Sequence, residues 1–285
     1  MSPETLELDS PVIAQVAASR RITSDETDEV RQIDLHIADP SFRCAKGQSI
    51  AVAVPGPHEF GNRHHVRRYS IANNPTLSAE DGVDLSILVR RCFYVDDFNG
   101  ERYPGVASNY LCDARPGDPI TVHGPYKSPF RVPDDSSANI VMIATGTGIA
   151  PFRSFIEYIY RERGDWKGEI RLYYGAKSGM DLLYMNDEND DLVNYYDQRT
   201  FQAFKAVAAR PILGDSEVNR SVADNAASAL DLMGMANTHV FVAGVEKLVP
   251  ALDKAFAAAA GSESAWQAMR QKLRDSGRWS ELLYA

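Results

Sequence analysis

Long apolar runs, closely spaced cysteines and an excess of positive charge are what this 285-residue chain lacks. Nothing approaches the run of about 18 apolar residues that a membrane-spanning helix requires. The three cysteines, Cys44, Cys92 and Cys112, are odd in number and far apart, which fits reduced thiols better than a disulfide framework. Without a C-x-x-C pair the chain also lacks the closely spaced thiolates of an iron–sulfur cluster, so any such cluster belongs to a partner. Lys and Arg number 30 against 39 Asp and Glu, a formal net charge of -9. A binder of nucleic-acid backbones is disfavoured on that count, because it needs a basic footprint to release counterions. Residues 1–10 are acidic and polar, with neither an apolar signal core nor an Arg-rich transit pattern. The expected location is the cytoplasm, with no membrane span.

With 44% hydrophobic and 24% charged residues, a chain of this length supports two domains, each with its own core. Up to about Pro133 it reads as short strands separated by Gly and Pro, at 12–18, 30–37, 49–54, 68–72, 85–91 and 120–123. Many short strands without long helical patterns predict a closed antiparallel β-barrel, which hides its sheet edges. Residues 133–138 are polar and turn-rich, as a linker is. The expected domains are therefore 1–135 and 136–285. Beyond the linker an apolar run at 139–144, a Gly-rich turn, a helix-period stretch at 150–163 and a strand at 169–175 form a βαβ unit. Strands at 204–208 and 239–243, with helices at 220–233 and 247–260, continue the alternation and predict an α/β domain on a parallel sheet.

Three segments carry chemistry. Arg67-Arg68-Tyr69-Ser70 lies on a strand after a Pro/Gly-rich loop, and alternation sends Arg67 and Tyr69 to one face and Ser70 to the other. Taken alone, the tetrad reads as a strand with a snorkelling Arg and a half-buried Tyr, and the two later segments reverse that. Gly105, Val106, Ala107 and Ser108 open a helix whose first amides suit a phosphate, with the Ser108 hydroxyl added. Gly146-Thr147-Gly148-Ile149-Ala150-Pro151 joins a strand to a helix. Its glycines let backbone approach a pyrophosphate, Pro151 suits the first helical turn, and the helix dipole favours negative charge there. The spacing is not the Gly-x-Gly-x-x-Gly of Rossmann enzymes.

In order along the chain stand Arg-x-Tyr-Ser, then Gly-Val-x-Ser-Asn at 105–109, then Thr-Gly-Thr-Gly-Ile-Ala-Pro-Phe-Arg-Ser-Phe at 145–155. Asp181-Leu182-Leu183-Tyr184 and a terminal Gly277-Arg278-Trp279 with Tyr284 follow. Over nearly its whole length the chain resembles the plant-type ferredoxin–NADP⁺ reductases. The resemblance implies an FAD-binding barrel and an NADP(H)-binding α/β domain. It assigns Arg67 to the FAD pyrophosphate, Tyr69 to one flavin face, and Ser70 to the flavin nitrogen that accepts hydride. Tyr94 would stack on the FAD adenine, Arg90 would lie near the NADP⁺ pyrophosphate, and Ser108 at the FAD phosphates. Thr147 and Gly148 would line the nicotinamide side, and Tyr284 would cover the other flavin face. Tyr69, Ser70 and Tyr284 are the candidate catalytic residues. Tyr94 has a second reading as barrel core, and Arg90 with Arg91 as a solvated strand end. The His64-His65 pair reads as solvated loop rather than metal ligand.

The chain also departs from the family. Where a Cys usually precedes the Gly ending the last parallel strand, it has Ala243 before Gly244, and the place of a Glu two residues before the terminal Tyr is held by Leu282, with Glu281 one position earlier. Ala209-Arg210 stands for the usual Ser-Arg pair at the 2′-phosphate, and Arg220 occupies the region of a Tyr. Arg210 and Arg220 are the expected phosphate ligands, with NADPH favoured over NADH. The implied activity is hydride exchange with NADP(H) and single-electron exchange with ferredoxin, flavodoxin or another iron–sulfur carrier, docked on a local basic patch of Arg63, Arg67, Arg68, Arg90 and Arg91. Two alternatives stay open: the reductase component of a multicomponent oxygenase, and a flavin- and nucleotide-binding electron-transfer subunit of a permanent complex.

Overall fold

A computed structural model describes residues 10–56, 64–77, 82–96, 98–187, 189–207 and 218–284. The chain divides into two compact units, Met1–Arg21 with Asp28–Ser128, and Ile22–Thr27 with Pro129–Ala285. The linker expected at 133–138 thus falls inside the second unit, after a division at Ser128. The reason is apolar: Phe130 is buried, stacks on Phe152 at 5.6 Å and meets the edge of Phe241 at 5.2 Å.

The first unit is an antiparallel sheet of seven strands in the order β4-β3-β9-β1-β2-β6-β5. The strands are β1 (Val12–Arg21), β2 (Val30–Ile37), β3 (Ser49–Pro55), β4 (His64–Ser70), β5 (Thr76–Leu77), β6 (Val83–Arg90) and β9 (Pro119–Tyr126). An antiparallel bridge between Ile71 and Ile87 joins the end of β4 to β6 and brings the ends of the sheet together, which is how a barrel removes its edges. Val16, Leu35, Ile50, Val52, Leu85, Ile87 and Val122 fill the interior, and helix α1 (Val106–Asp113) adds Ala107, Leu111 and Cys112 to it. The pair β7 (Phe93–Val95) and β8 (Arg102–Pro104) forms a separate two-stranded hairpin. Its turn is set by Asp96, whose carboxylate accepts from the backbone N–H of Phe98 and Asn99, the local bonding that makes Asp a turn residue.

The second unit is a five-stranded parallel sheet, β12-β11-β10-β13-β14. Its strands are β10 (Asn139–Thr145), β11 (Ile170–Ala176), β12 (Phe201–Val207), β13 (Thr238–Val245) and β14 (Trp279–Tyr284). The first six residues of β10 are buried, the continuous apolar run of a strand covered on both faces. Helices α2 (Ala150–Glu157), α3 (Val218–Gly234), α4 (Leu248–Ala259) and α5 (Glu263–Asp275) complete the unit. The single helix expected at 150–163 is α2 followed by a π-helical turn, Tyr158–Arg163, that ends at left-handed Gly164.

The C-terminal segment is a strand and not a tail: β14 runs parallel to β13, from Val240 opposite Trp279 to Val245 opposite Tyr284. Helix α5 fastens it there. Arg270, almost fully buried, donates to Asp253 at 2.6 Å and to Glu281 at 2.9 Å, Arg274 donates to Glu281 at 2.8 Å, and the Trp279 indole N–H donates to the same carboxylate. Truncating one member leaves a largely buried charge uncompensated, which makes such a network hard to break.

Candidate functional site

On the first unit the motif residues lie on β4, on the β7–β8 hairpin and at the start of α1. Tyr69 is half-buried, with its ring against the barrel core, and burial pushes its phenol well above the usual range, so it stays a neutral donor. Arg67, two residues before it, is exposed and donates to the Val66 carbonyl at 3.2 Å. Ser70 is half-buried and sits opposite Ser49 in the register. Arg68 is held differently: it donates to the Ser49 hydroxyl at 2.7 Å and lies 5.0 Å over the Tyr126 ring.

Tyr94 is not barrel core. It stands on the hairpin at 57% exposure, stacked on Tyr103 at 5.4 Å, an aromatic face presented to solvent. Helix α1 begins at Gly105 with no side chain capping it, so its first-turn amides remain without partners from within the helix. The Ser108 hydroxyl is already engaged, donating to the Gly105 carbonyl at 3.2 Å and lying 3.1 Å from the Cys92 backbone N–H. Arg90 is exposed and lies 3.6 Å from Asp28.

Arg91 does not belong with the docking cations expected for the surface. It is mostly buried and bonds Glu29 at 2.7 Å, Asn109 at 3.0 Å and Asp113 at 2.8 Å, tying α1 to the barrel. His64 and His65 open β4 and so belong to a strand, not to a loop. Among the described residues no cluster of His, Cys, Asp or Glu is arranged to hold a metal ion. Arg63 and Arg210 lie outside the described residues, and Arg220 is described only as a position on α3.

On the second unit the glycine-rich turn is a short 3₁₀ segment, Gly146–Ile149, leading into α2 with Pro151 in its first turn. Two glycines make the approach of this turn to the end of β13 possible. A Cβ on Gly148 would lie 2.4 Å from the Ala243 carbonyl oxygen, and one on Gly244, at φ +150°, would lie 2.1 Å from the Thr145 hydroxyl. Close strand-to-turn packing is therefore one reason for glycine there, beside the approach of a pyrophosphate. Tyr284, at the end of β14, crosses over the turn: its hydroxyl is 3.1 Å from the Thr147 hydroxyl and donates to the Thr145 carbonyl at 3.3 Å. The Thr145 hydroxyl is buried at the same place with no hydrogen-bond partner, and a buried polar group in that condition invites a ligand atom or a water.

Glu281 cannot stand in for the displaced carboxylate. Strand alternation puts Leu282 on the face of Tyr284 and Glu281 on the opposite face, toward α5. Burial alone pushes its carboxyl up, but hydrogen bonds from Trp279, Arg274 and Arg270 outweigh burial and hold it below the usual carboxylate value.

Sequence reasoning missed Tyr174, which donates to the Gly146 carbonyl at 3.0 Å and accepts from Leu183 N–H at 3.2 Å. It also missed Arg153, which bonds Asp191 at 2.7 Å and lies 4.7 Å over the Tyr184 ring. Neither pairing has a signal in the sequence, because the partners are brought together by the register of β10 and β11 and by the segment that follows β11. Helix α5 did have one: Ser262 precedes an amphipathic stretch and caps it by accepting from Ala265 N–H.

A barrel followed by a parallel-sheet unit with a glycine-rich strand-to-helix turn defines a class, the two-domain oxidoreductases with a nucleotide-binding α/β half, and the oxidoreductase NAD-binding domain family matches residues 142–254. A ferredoxin–NADP reductase of Thermosynechococcus vestitus is 32% identical over 277 residues, covering 95% of this chain and 72% of that protein. One from Spirulina is 30% identical and covers 95% and 94%. The chain belongs to the ferredoxin–NADP reductase family. Its fold is also that of the ferredoxin–NADP⁺ reductase of Plasmodium falciparum solved with 2′P-AMP, at a TM-score of 0.72 and 16% identity over 96% of each chain.

Proposed function

We propose that this chain is an FAD-dependent reductase that moves hydride between NADP(H) and the flavin and single electrons to or from ferredoxin or flavodoxin. The observation that carries the reading is the pair of cradles, one on each unit. On the barrel unit an uncapped helix start adjoins an exposed, stacked Tyr94. On the α/β unit the glycine-rich turn holds an orphaned Thr145 hydroxyl beneath Tyr284. Both fit their groups: helix amides and a guanidinium for a pyrophosphate, flat rings for adenine and flavin, and an unpaired hydroxyl for the polar edge of a nicotinamide.

Bound FAD supplies the link between two-electron and one-electron chemistry. Arg67 and the first amides of α1 at Val106 and Ala107 hold the pyrophosphate, with Gly105, whose own N–H is given to the Cys92 carbonyl at 2.9 Å, letting the backbone approach it. Tyr94 stacks on adenine. Tyr69 supports one face of the flavin, with Ser70 donating beside the reacting nitrogen. Ser108 acts by ordering the Cys92–Gly105 backbone beside the phosphates, its proton given to the Gly105 carbonyl and its oxygen accepting from the Cys92 N–H. Thr147 and Gly148 receive the nicotinamide, Arg90 the NADP⁺ pyrophosphate, and Arg210 with Arg220 the 2′-phosphate. With Ala243 in place of a thiol and Glu281 turned away, the chain's own residues contribute orientation and proximity to hydride transfer, without a side-chain acid. The exposed Arg67, Arg68 and Arg90 offer an acidic carrier a local cationic surface. The three unpaired cysteines favour a reducing compartment such as the cytoplasm.

Purified protein should be yellow, release FAD and not FMN on denaturation, and reduce ferricyanide and ferredoxin with NADPH in preference to NADH. Flavin-free protein that binds no FAD, or equal use of NADH, would overturn the assignment or its nucleotide preference respectively.

A further inference from the structure

Tyr174 lies on β11, opposite Ala144 of β10 in the parallel register, where both strands reach the C-terminal end of the sheet. Its side chain is fully buried. A phenol has one proton to give and lone pairs to receive with, and Tyr174 uses both: it donates to the Gly146 carbonyl at 3.0 Å and accepts from Leu183 N–H at 3.2 Å. Burial pushes its pKa well above the usual value, so the donated proton is present at every working pH. Its neighbour Tyr173 points to the other face of the sheet, where it stacks on Phe204 at 4.8 Å. The loop on the far side of this link is itself braced. Tyr184 holds a left-handed backbone, φ 62°, rare for a tyrosine, while Arg153 lies over its ring at 4.7 Å and bonds Asp191 at 2.7 Å.

The orientation of the Gly146 carbonyl sets the plane of the Gly146–Thr147 peptide, and with it where the Thr147 hydroxyl meets Tyr284. We propose that Tyr174 is a positioning residue for nucleotide binding: it transmits the placement of the braced loop at 181–187 to the Gly146–Thr147 turn that receives the nicotinamide nucleotide. The proposal rests on the reading of that turn given under Proposed function. Removing the hydroxyl leaves the buried Leu183 N–H without its acceptor and takes from the Gly146 carbonyl, on an exposed residue, the donor that fixes its direction, a loss that frees the turn to rotate its peptide away from the binding geometry.

The test uses FAD-loaded Tyr174→Phe, which keeps the ring, with Tyr173→Phe as control. In Tyr174→Phe, KM for NADPH and Kd for NADP⁺ should rise about tenfold, while kcat at saturation and flavin content stay within about twofold. In Tyr173→Phe, which removes a phenol from the same strand on the opposite face, both constants should stay unchanged. Linkage supplies a measurement on the wild-type holoprotein: saturating NADP⁺ should slow exchange of the Leu183 amide about tenfold, because coupling between sites is reciprocal. Unchanged KM and Kd in Tyr174→Phe, an equal rise in Tyr173→Phe, or a Leu183 amide indifferent to NADP⁺ overturns the proposal. Wild-type protein that takes no electrons from NADPH would instead overturn the functional reading beneath it, so the two failures are distinct.

Discussion

Tyr284→Phe removes one oxygen atom and, with it, the contacts that hold the terminal ring over the glycine-rich turn: the Thr147 hydroxyl at 3.1 Å and the Thr145 carbonyl at 3.3 Å. The residue is 38% exposed, so water replaces part of each bond, and a low value of about 0.5 kcal/mol for each is appropriate. Together they stabilise the covered state by about 1 kcal/mol, or about fivefold in population. A nucleotide that must displace Tyr284 sees its affinity reduced by the fraction of time the turn is covered. Loss of the hydroxyl should therefore tighten NADP⁺ binding about three- to fivefold. Tyr284→Ser, which removes the ring as well, should tighten it further, relax discrimination against NADH and slow product release. The assay is titration of the oxidised holoprotein with NADP⁺, followed by the flavin difference spectrum. Affinity unchanged in both variants, or weakened in Tyr284→Phe, would refute the idea that this hydroxyl competes with the nucleotide.

Tyr94→Ala should weaken FAD by roughly two- to thirteenfold, the 0.5–1.5 kcal/mol of an aromatic stack, in reconstitution of apoprotein, and an unaltered FAD affinity would remove Tyr94 from the site. Gly148→Ala forces a Cβ to within 2.4 Å of the Ala243 carbonyl oxygen and should destabilise the second unit by about 1–3 kcal/mol; flavin content should persist while NADP⁺ binding falls more than tenfold, and a variant that binds NADP⁺ normally would contradict the packing argument. Glu281→Gln should cost about 1.5–3 kcal/mol through its charged hydrogen bonds yet leave the pH profile of kcat unchanged, because the carboxylate faces α5. Since the folded pKa of Glu281 is lowered from its ordinary 4.5, its stabilisation is present above that value and lost as pH falls through the folded pKa. Thermal unfolding of the wild type should accordingly lose more stability below about pH 4.5 than that of Glu281→Gln.

The strands of the barrel were legible because alternation and Gly/Pro punctuation are local: 30–37 was read with the bounds that β2 has. The βαβ unit was legible for the same reason, since the apolar run before Gly146 admits little but a buried strand. What escaped were elements without a local signal of their own. The hairpin β7–β8 is too short for a period to show, and the segment at 279–284 looks like a loose end until β13 and α5 are in place beside it. Tyr94 had two readings from sequence because an aromatic residue suits a core or a binding face equally, and only its 57% exposure separates them.

The order of motifs along the chain determined the family, the two-domain plan and most of the residues proposed for FAD and NADP(H). Burial, strand parity and long-range pairing decided the rest. They turned Arg91 from a surface cation into a structural tie, and they set Glu281, one position before the family's usual Glu, against Arg270 and Arg274 on the opposite face. They also joined Tyr174 to a turn 28 residues away in sequence. A motif records which chemistry a segment can offer, because that depends on residue type and spacing. Which side chains remain free to offer it depends on what the fold has already set against them, and that is written only in tertiary contacts.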